Sequence, residues 1–105
     1  MPDRLDDAFH SPARLQLAAF LSGCDEAVFG AVTQGCQLTK STLSKSVRAL
    51  EDVGYVNARK GYHNRVPRTW LSLTAQGREA LASHLTALQD LANQAAAQAP
   101  RLSDR

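Results

Sequence analysis

Apolar residues recur every three or four positions in several stretches of this chain, which is the spacing that places them on one side of a helix. The first stretch follows Ser11 and Pro12, a favoured N-cap and a favoured first helical residue, and it stops at Gly23. The predicted buried side of this helix is made of Leu15, Ala18, Ala19 and either Phe20 or Leu21.

A second helix is predicted in the stretch FGAVTQGCQ, where three apolar residues share one side. These residues are Phe29, Val32 and Cys36. Two glycines, Gly30 and Gly35, weaken this prediction, because each costs about 1 kcal/mol relative to alanine inside a helix.

The third predicted helix is capped by Thr39 and ends at Gly54, and its two sides differ in character. Leu43, Val47 and Leu50 are spaced i, i+4, i+7 and face the core together. The opposite side carries short hydroxyls and long cations: Lys40, Ser41, Ser44, Lys45 and Arg48. Such a surface can reach phosphates and base edges of nucleic acid. Taken alone, the pattern also fits an ordinary amphipathic surface helix.

After Gly54 the apolar pattern changes from helical to alternating. One strand is predicted over 55–59, and a second in RTWLSLT, with Thr69, Leu71 and Leu73 on one face. The residues between them, KGYHNRVP, are suited to a turn. The sequence therefore predicts a β-hairpin with a long, basic tip.

A last helix is predicted over 75–97, capped by Thr74. Its apolar residues alternate by four and three, which is the spacing of a helix–helix seam. They are Leu81, Leu85, Leu88, Ala92 and Ala95. The segment 98–105 is polar and contains Pro100, so we expect it to fray.

The 105-residue chain carries a net charge of only +2, and that charge is unevenly distributed. Residues 1–38 sum to −3, residues 39–72 to +5, and residues 73–105 to zero. A local concentration of positive charge is what a polyanion responds to. The length favours one domain, and no apolar run approaches the roughly 20 residues that span a bilayer. Because the acidic N-terminus lacks the apolar core of a secretory signal, we expect a cytoplasmic protein without membrane contact.

Three helices and a hairpin, with a basic third helix, follow the order of a winged helix-turn-helix domain. The fold class predicted here is mainly α with a two-stranded wing and a long C-terminal helix. The sequence resembles small winged-helix transcriptional regulators related to the MarR and ArsR groups over roughly residues 5–95. The matching motifs are Phe29-x-x-Val32, Leu38-Thr39, Leu43-Ser44-Lys45, Leu50-Glu51-x-x-Gly54-Tyr55-Val56, Arg65-Val66-Pro67-Arg68-Thr69 and Leu73-Thr74-x-x-Gly77-Arg78.

This resemblance implies a homodimer that binds double-stranded DNA, with helix 39–53 in the major groove and wing 59–68 on the backbone or minor groove. The implied groove residues are Lys40, Ser41, Thr42, Ser44, Lys45 and Arg48. The implied wing contacts are Arg59, Lys60, Arg65 and Arg68. The implied dimer interface consists of Leu81, Leu85, Leu88 and Ala92. The domains are then 1–11 as an N-terminal segment, 12–74 for DNA binding, 75–97 for dimerisation and 98–105 as a tail.

Other chemistry finds little support in the sequence. Cys24 and Cys36 lack the spacing of a zinc site. Cys36 is expected in the core, while Cys24 leaves open an exposed, redox-sensitive thiol. His10, His63 and His84 are isolated, and His84 is expected to face solvent. No phosphate loop, nucleophile elbow or acid pair is present, so we expect neither an enzyme nor a cofactor.

The sequence leaves two questions about partners open. Related families allow a small effector between the domain and the last helix, but no residue here identifies its ligand. A winged helix can also be a protein-interaction module whose basic face meets an acidic partner.

Overall fold

A computed structural model describes the backbone of residues 4–103 and the side chains of residues 4–98. After a 3-10 turn at Asp7–Phe9, the elements are α1 (Pro12–Ser22), β1 (Ala27–Val28), α2 (Phe29–Cys36), α3 (Lys40–Asp52), β2 (Val56–His63), β3 (Val66–Leu73) and α4 (Ala75–Ser103). The predicted fold class is confirmed: three helices form the core, a small sheet forms the wing, and a long helix follows.

The N-termini of α1 and α3 are capped as the sequence predicts. The Ser11 hydroxyl accepts a hydrogen bond from the Arg14 backbone N–H, and the Thr39 hydroxyl accepts one from that of Thr42. The buried side of α1 is partly different from the prediction. Leu17 is fully buried, whereas Ala19 is exposed. Ala18 and Leu21 are buried as predicted, so Leu17 takes the place of Ala19 on the buried side.

The wing belongs to a three-stranded sheet with the order β1-β3-β2, and not to an isolated two-stranded hairpin. The short strand β1 pairs antiparallel with β3, with Val28 opposite Trp70. β2 and β3 are longer than predicted, because the connection between them is only Asn64 and Arg65. These two residues have φ angles of 50° and 65°, the left-handed pair of a type I′ turn.

α4 begins against the end of the third helix. The Thr74 hydroxyl donates to the Gly54 carbonyl oxygen at 2.6 Å and accepts from the Gly77 N–H at 2.9 Å. A Cβ atom at Gly77 would lie 2.2 Å from the Tyr55 carbonyl oxygen, so only glycine permits this approach. The first turns of α4 are thereby fixed to the domain.

The remainder of α4 leaves the domain and extends further than predicted. The helix continues through Pro100 to Ser103, six residues beyond the predicted end at 97, after a run of three alanines that favour helix. Leu81 is 3% exposed and packs in the core of its own domain. Every residue from 88 to 98 is exposed. The predicted tail thus falls partly on this helix and partly, at 104–105, outside the described residues.

Residues 4–9 form a segment, here called the N-terminal strap, that joins α4 to Tyr55, the residue just before β2. The Asp6 backbone N–H donates to His84 Nδ1 at 2.9 Å, and the Tyr55 hydroxyl donates to Asp6 Oδ2 at 2.5 Å. The Phe9 ring lies 5.6 Å from the Tyr55 ring and 5.2 Å from the His84 ring. His84 is therefore 3% exposed, and the prediction that it faces solvent is wrong. The strap covers it from a distant part of the chain.

Candidate nucleic-acid interface

α3 presents its polar side to solvent because its apolar side is fully buried. Leu43 and Leu50 have no exposed surface, and Val47 is 7% exposed. The six predicted groove residues are all exposed: Lys40, Ser41, Thr42, Ser44, Lys45 and Arg48. Thr42 also accepts a hydrogen bond at its hydroxyl from that of Thr39, at 3.0 Å, so it contributes to the cap of α3.

A groove of about 670 Å³ lies between the wing and the helices, and cationic side chains from both line it. Lys40 lines it from α3, while Lys60 and Arg68 line it from the wing. Side chains alternate along β2, so Lys60 and Tyr62 lie on the same face as the buried Val56. The inward face of the sheet is therefore apolar at its base and basic toward its tip.

A second groove, of about 460 Å³, runs along the exposed side of α3. Its lining residues are Ser41, Ser44, Lys45, Arg48, Ala49 and Asp52. Apart from Asp52, no acidic residue lines it, and small side chains separate the two cations. An extended, negatively charged chain can approach such a surface without steric obstruction.

Most of the predicted cations have no acidic partner. Within the described side chains, two basic groups have an acidic neighbour: Arg59 forms an ion pair with Glu26 at 2.8 Å, and His10 Nδ1 lies 3.3 Å from Asp7 Oδ1. Six exposed cations of α3 and the wing are outside these pairs and are here called the basic surface: Lys40, Lys45, Arg48, Lys60, Arg65 and Arg68. Their charge is available for a ligand, which is the electrostatic footprint of a nucleic-acid binder.

Arg59 differs from the other predicted wing contacts. Its Nη2 donates to Glu26 Oε1, and its guanidinium carbon lies 4.3 Å from the centre of the Trp70 ring. It lies on the face of the sheet opposite Lys60, since neighbouring residues of a strand alternate. The side chain of Arg59 is therefore on the opposite face from Lys60, and Arg59 does not line the groove.

Tyr62 is a residue of this site that the sequence did not identify. It is 76% exposed and lines the groove beside Lys60. Sequence reasoning assigned it to a turn, because glycine, asparagine and proline surround it. The strand alternation that orients its side chain becomes visible only once β2 is known to extend to His63.

The cysteines and histidines form no alternative site in the described part of the chain. Burial raises the pKa of the Cys36 thiol, which packs against the core and donates to the Gln16 carbonyl oxygen at 3.7 Å. The half-buried Cys24 thiol faces the Leu21 carbonyl oxygen at 3.8 Å. Among these residues, no group of three or more His, Cys, Asp or Glu side chains could hold a metal ion. None of the described helices combines the length and hydrophobicity required to traverse a bilayer.

Comparison with known proteins agrees with this geometry. A family model described as a winged helix DNA-binding domain matches residues 13–92. No curated protein matches the chain. A transcriptional regulator homologue from Pyrococcus horikoshii OT3 is 29% identical, with a TM-score of 0.78 over 83% of this chain and 86% of that one.

Two further solved structures share the fold. A MarR family transcriptional regulator from Silicibacter pomeroyi is 26% identical, with a TM-score of 0.65 over 82% of this chain and 56% of that one. The M. tuberculosis regulator MOSR, solved in complex with DNA, is 20% identical, with a TM-score of 0.65 over 94% of this chain and 76% of that one.

The family match spans most of the chain, including the three core helices, the wing and α4 as far as Ala92. The chain belongs to the winged helix DNA-binding domain family, and it shares its fold with transcriptional regulators that include a member of the MarR family.

Proposed function

We propose that the protein binds double-stranded DNA as a homodimer, with α3 in the major groove and the wing on the backbone or in the minor groove. The observation that carries this proposal is the groove in which Lys40 of α3 meets Lys60 and Arg68 of the wing. These cations have no acidic partner among the described side chains. The structure of MOSR with DNA supports the same use of this fold in another protein.

The chemistry of each cation suggests its role. Lysine is a flexible point charge that neutralises phosphate, whereas arginine can donate two hydrogen bonds to guanine O6 and N7. Lys40, Lys45 and Lys60 are therefore proposed as phosphate contacts. Arg48 lies about two turns into α3, where it meets backbone or base edges. Ser41 and Ser44 keep the surface between these cations low enough for DNA to approach.

Arg65 is proposed to enter the minor groove from the tip of the wing. It occupies the second position of the type I′ turn at a φ of 65°, where glycine is the favoured residue. An arginine in a left-handed backbone conformation is locally unfavourable. A functional role would explain why arginine occupies this position. Its charge lies at the tip of the wing, and a narrow minor groove attracts arginine.

The dimer is proposed to form through the part of α4 beyond the domain. Leu85, Leu88 and Leu91 are 46%, 39% and 49% exposed, an apolar stripe without cover in one copy of the chain. A helix that leaves its domain with exposed leucines needs a partner, since most helix stability comes from packing of such a face. Ala92 continues the stripe. Leu81 is not part of the proposed interface, because it packs in the core of its own domain. The proposed boundary between the DNA-binding domain and the dimerisation helix remains at residue 74.

For a small effector, the described residues offer a groove of about 410 Å³ between the strap, Tyr55 and α4. Its lining does not select a class of ligand, so no effector is proposed.

The proposed function is tested by selecting duplexes from a random pool with the full chain. We expect recovered sequences to share two similar half-sites, related by two-fold symmetry and separated by about one helical turn, about 34 Å. Recovery of no common sequence, combined with binding to an acidic protein partner, would instead support a protein-interaction module.

The dimer proposal is tested by Leu85→Asp, which puts a charge into the middle of the exposed stripe. We expect a folded monomer by light scattering and a loss of binding to the selected duplex. Thr86→Asp adds the same charge at an exposed neighbouring position and is the matched control. A Leu85→Asp variant that remains a dimer would contradict this interface.

A further inference from the structure

Arg59 is held on the outer face of the wing by two contacts. Its Nη2 atom donates to Glu26 Oε1 at 2.8 Å, and its guanidinium stacks 4.3 Å above the centre of the Trp70 ring. Arg59 and Trp70 are also direct partners across β2 and β3. One side chain of β2 is therefore bound both to the neighbouring strand and to a residue outside the hairpin.

Glu26 connects this arrangement to the helical core. It directly precedes β1, whose Val28 pairs with Trp70 of β3, and β1 leads without interruption into α2. The contact between Arg59 and Glu26 therefore ties the far strand of the wing to the segment that enters α2. Only the inner strand, β3, has backbone pairing with that segment.

The Trp70 ring completes the arrangement by packing on the backbone of β2. A Cβ atom at Gly61 would lie 3.1 Å from Cζ3 of Trp70, so the ring occupies space that most side chains at this position would need. Gly61 allows the indole to lie flat between the strand and the Arg59 guanidinium. Glu26, Arg59 and Trp70 are here called the wing clamp.

The wing clamp lies on the face of the sheet opposite Lys60 and Tyr62, the two side chains of β2 that line the basic groove. Lys60, the residue after Arg59, lines the groove opposite Lys40 of α3. A rotation of β2 relative to the helical core therefore changes the distance between Lys60 and Lys40. The clamp resists that rotation, because it joins β2 to the residue before β1.

We propose that the wing clamp positions the wing for DNA, and that Arg59 is a positioning residue rather than a DNA contact. This inference rests on the proposed function. A wing that is already held at the angle of the complex loses less conformational freedom on binding, so the clamp increases affinity through pre-organisation. Its charge contributes little to the basic surface, since Glu26 neutralises it at short range.

The salt dependence of binding separates positioning from phosphate contact. A phosphate contact contributes about 0.9 to the slope of log affinity against log salt concentration, whereas a positioning residue contributes none. Glu26 gives an independent test. Removal of an acidic residue beside a DNA-binding surface strengthens binding electrostatically, so a loss of affinity from Glu26→Ala would require the clamp.

Asp25 provides the matched control for Glu26. It is exposed, carries the same charge one residue earlier, and forms no ion pair among the described side chains. Asp25→Ala therefore reports the electrostatic effect alone. Arg59→Lys is the matched control for Arg59, since it keeps the charge but loses the planar group that both stacks on Trp70 and donates to Glu26.

The experiment uses the full chain and a 30-base-pair duplex recovered from a random pool by the unsubstituted protein. Binding is followed by fluorescence anisotropy between about 50 and 200 mM salt. We expect Arg59→Ala, Arg59→Lys and Glu26→Ala each to weaken binding about 3- to 10-fold with an unchanged slope. The double variant of Arg59 and Glu26 should bind like either single variant, because both remove one clamp. Asp25→Ala should bind at least as tightly as the unsubstituted protein.

A second readout reports the clamp without DNA. Trp70 is the one tryptophan of the chain, so its emission reports the stacked guanidinium. Emission should change in Arg59→Ala and Glu26→Ala, and it should not change in Asp25→Ala. Thermal melting confirms that each variant is folded.

Two results would overturn the clamp while leaving DNA binding intact: a shallower slope for Arg59→Ala, or equal affinity for Glu26→Ala and Asp25→Ala. Unchanged tryptophan emission in Arg59→Ala would also overturn it. If the unsubstituted protein recovers no duplex, the proposed function fails and this inference fails with it.

Discussion

Polar groups are paired with one another at the N-terminal strap, whereas the cations of the basic surface have no acidic partner among the described side chains. At the strap, Asp6 accepts from Tyr55 and its backbone N–H donates to the buried His84, so the polar groups are paired within the molecule. On the basic surface, six cations have no acidic partner among the described side chains. Paired polar groups fix the fold, while unpaired charges on an exposed surface are free to bind a ligand.

This difference separates two kinds of substitution. Changes at the strap should lower the stability of the domain and leave the salt dependence of DNA binding unchanged. Changes on the basic surface should alter DNA binding and leave stability unchanged or improved. The predictions below test that separation, in order of decreasing effect on the free energy of unfolding.

The largest effect on stability is expected from Tyr55→Phe, which removes the hydroxyl that donates to Asp6. The free energy of unfolding should fall by about 1–2 kcal/mol at neutral pH, since a hydrogen bond to a charged group is lost. Tyr62→Phe removes an exposed hydroxyl and should leave stability unchanged. Thermal or denaturant unfolding of both variants measures the difference, and equal stability would contradict the role of this bond.

The same bond predicts an alkaline limit to stability. Hydrogen bonding to Asp6, then burial, then the negative charge of Asp6 raise the pKa of Tyr55 from 10.0 to about 12. Because the pKa is higher in the folded state, this contribution is fully present below pH 10 and is lost as the pH rises through about 12. In Tyr55→Phe that part of the alkaline loss should disappear.

A smaller effect, of opposite sign, is expected from Arg65→Gly at the tip of the wing. Glycine suits the left-handed position, so the free energy of unfolding should rise by roughly 1 kcal/mol. Binding to the selected duplex should nevertheless weaken, because the projecting charge is lost. Asn64→Gly changes the same turn without removing charge and should leave the salt slope unaltered. An Arg65→Gly variant that binds as tightly as the unsubstituted protein would show that the tip does not contact DNA.

The local parts of this structure could be predicted from the sequence. Thr39 caps α3 and Leu43 and Leu50 form its buried side, because spacing and capping depend on nearby residues. The side of α3 left exposed follows directly from that assignment. The order of helices and strands then suffices to identify the fold.

The parts that could not be predicted depend on partners distant in sequence. His84 is buried because the strap, 78 residues earlier, covers it. Arg59 leaves the basic surface because Glu26, 33 residues earlier, neutralises it. Strand β1 has only two residues and exists through its pairing with β3. Periodicity within a segment contains no information about such contacts.

The turn of the wing shows a different cause of error. Gly61 and Pro67 are residues that usually mark a loop, and they led to a prediction of a long tip. In the structure both residues lie within the paired strands: Gly61 is opposite Arg68, and Pro67 is opposite Tyr62. Gly61 makes room for an indole, and Pro67 lies near the end of its strand, so neither residue ends the pairing.

The most direct test of the basic surface is the salt dependence of DNA binding by a Lys45→Ala, Arg48→Ala double variant. Arg4→Ala, on the strap, removes a cation elsewhere and is the control. The double variant should melt like the unsubstituted protein but show a slope shallower by about 0.9 for the phosphate contact of Lys45, and by about 1.8 where Arg48 also contacts a phosphate. Arg4→Ala should leave the slope unchanged. An unchanged slope in the double variant would contradict the assignment of the exposed side of α3 to DNA.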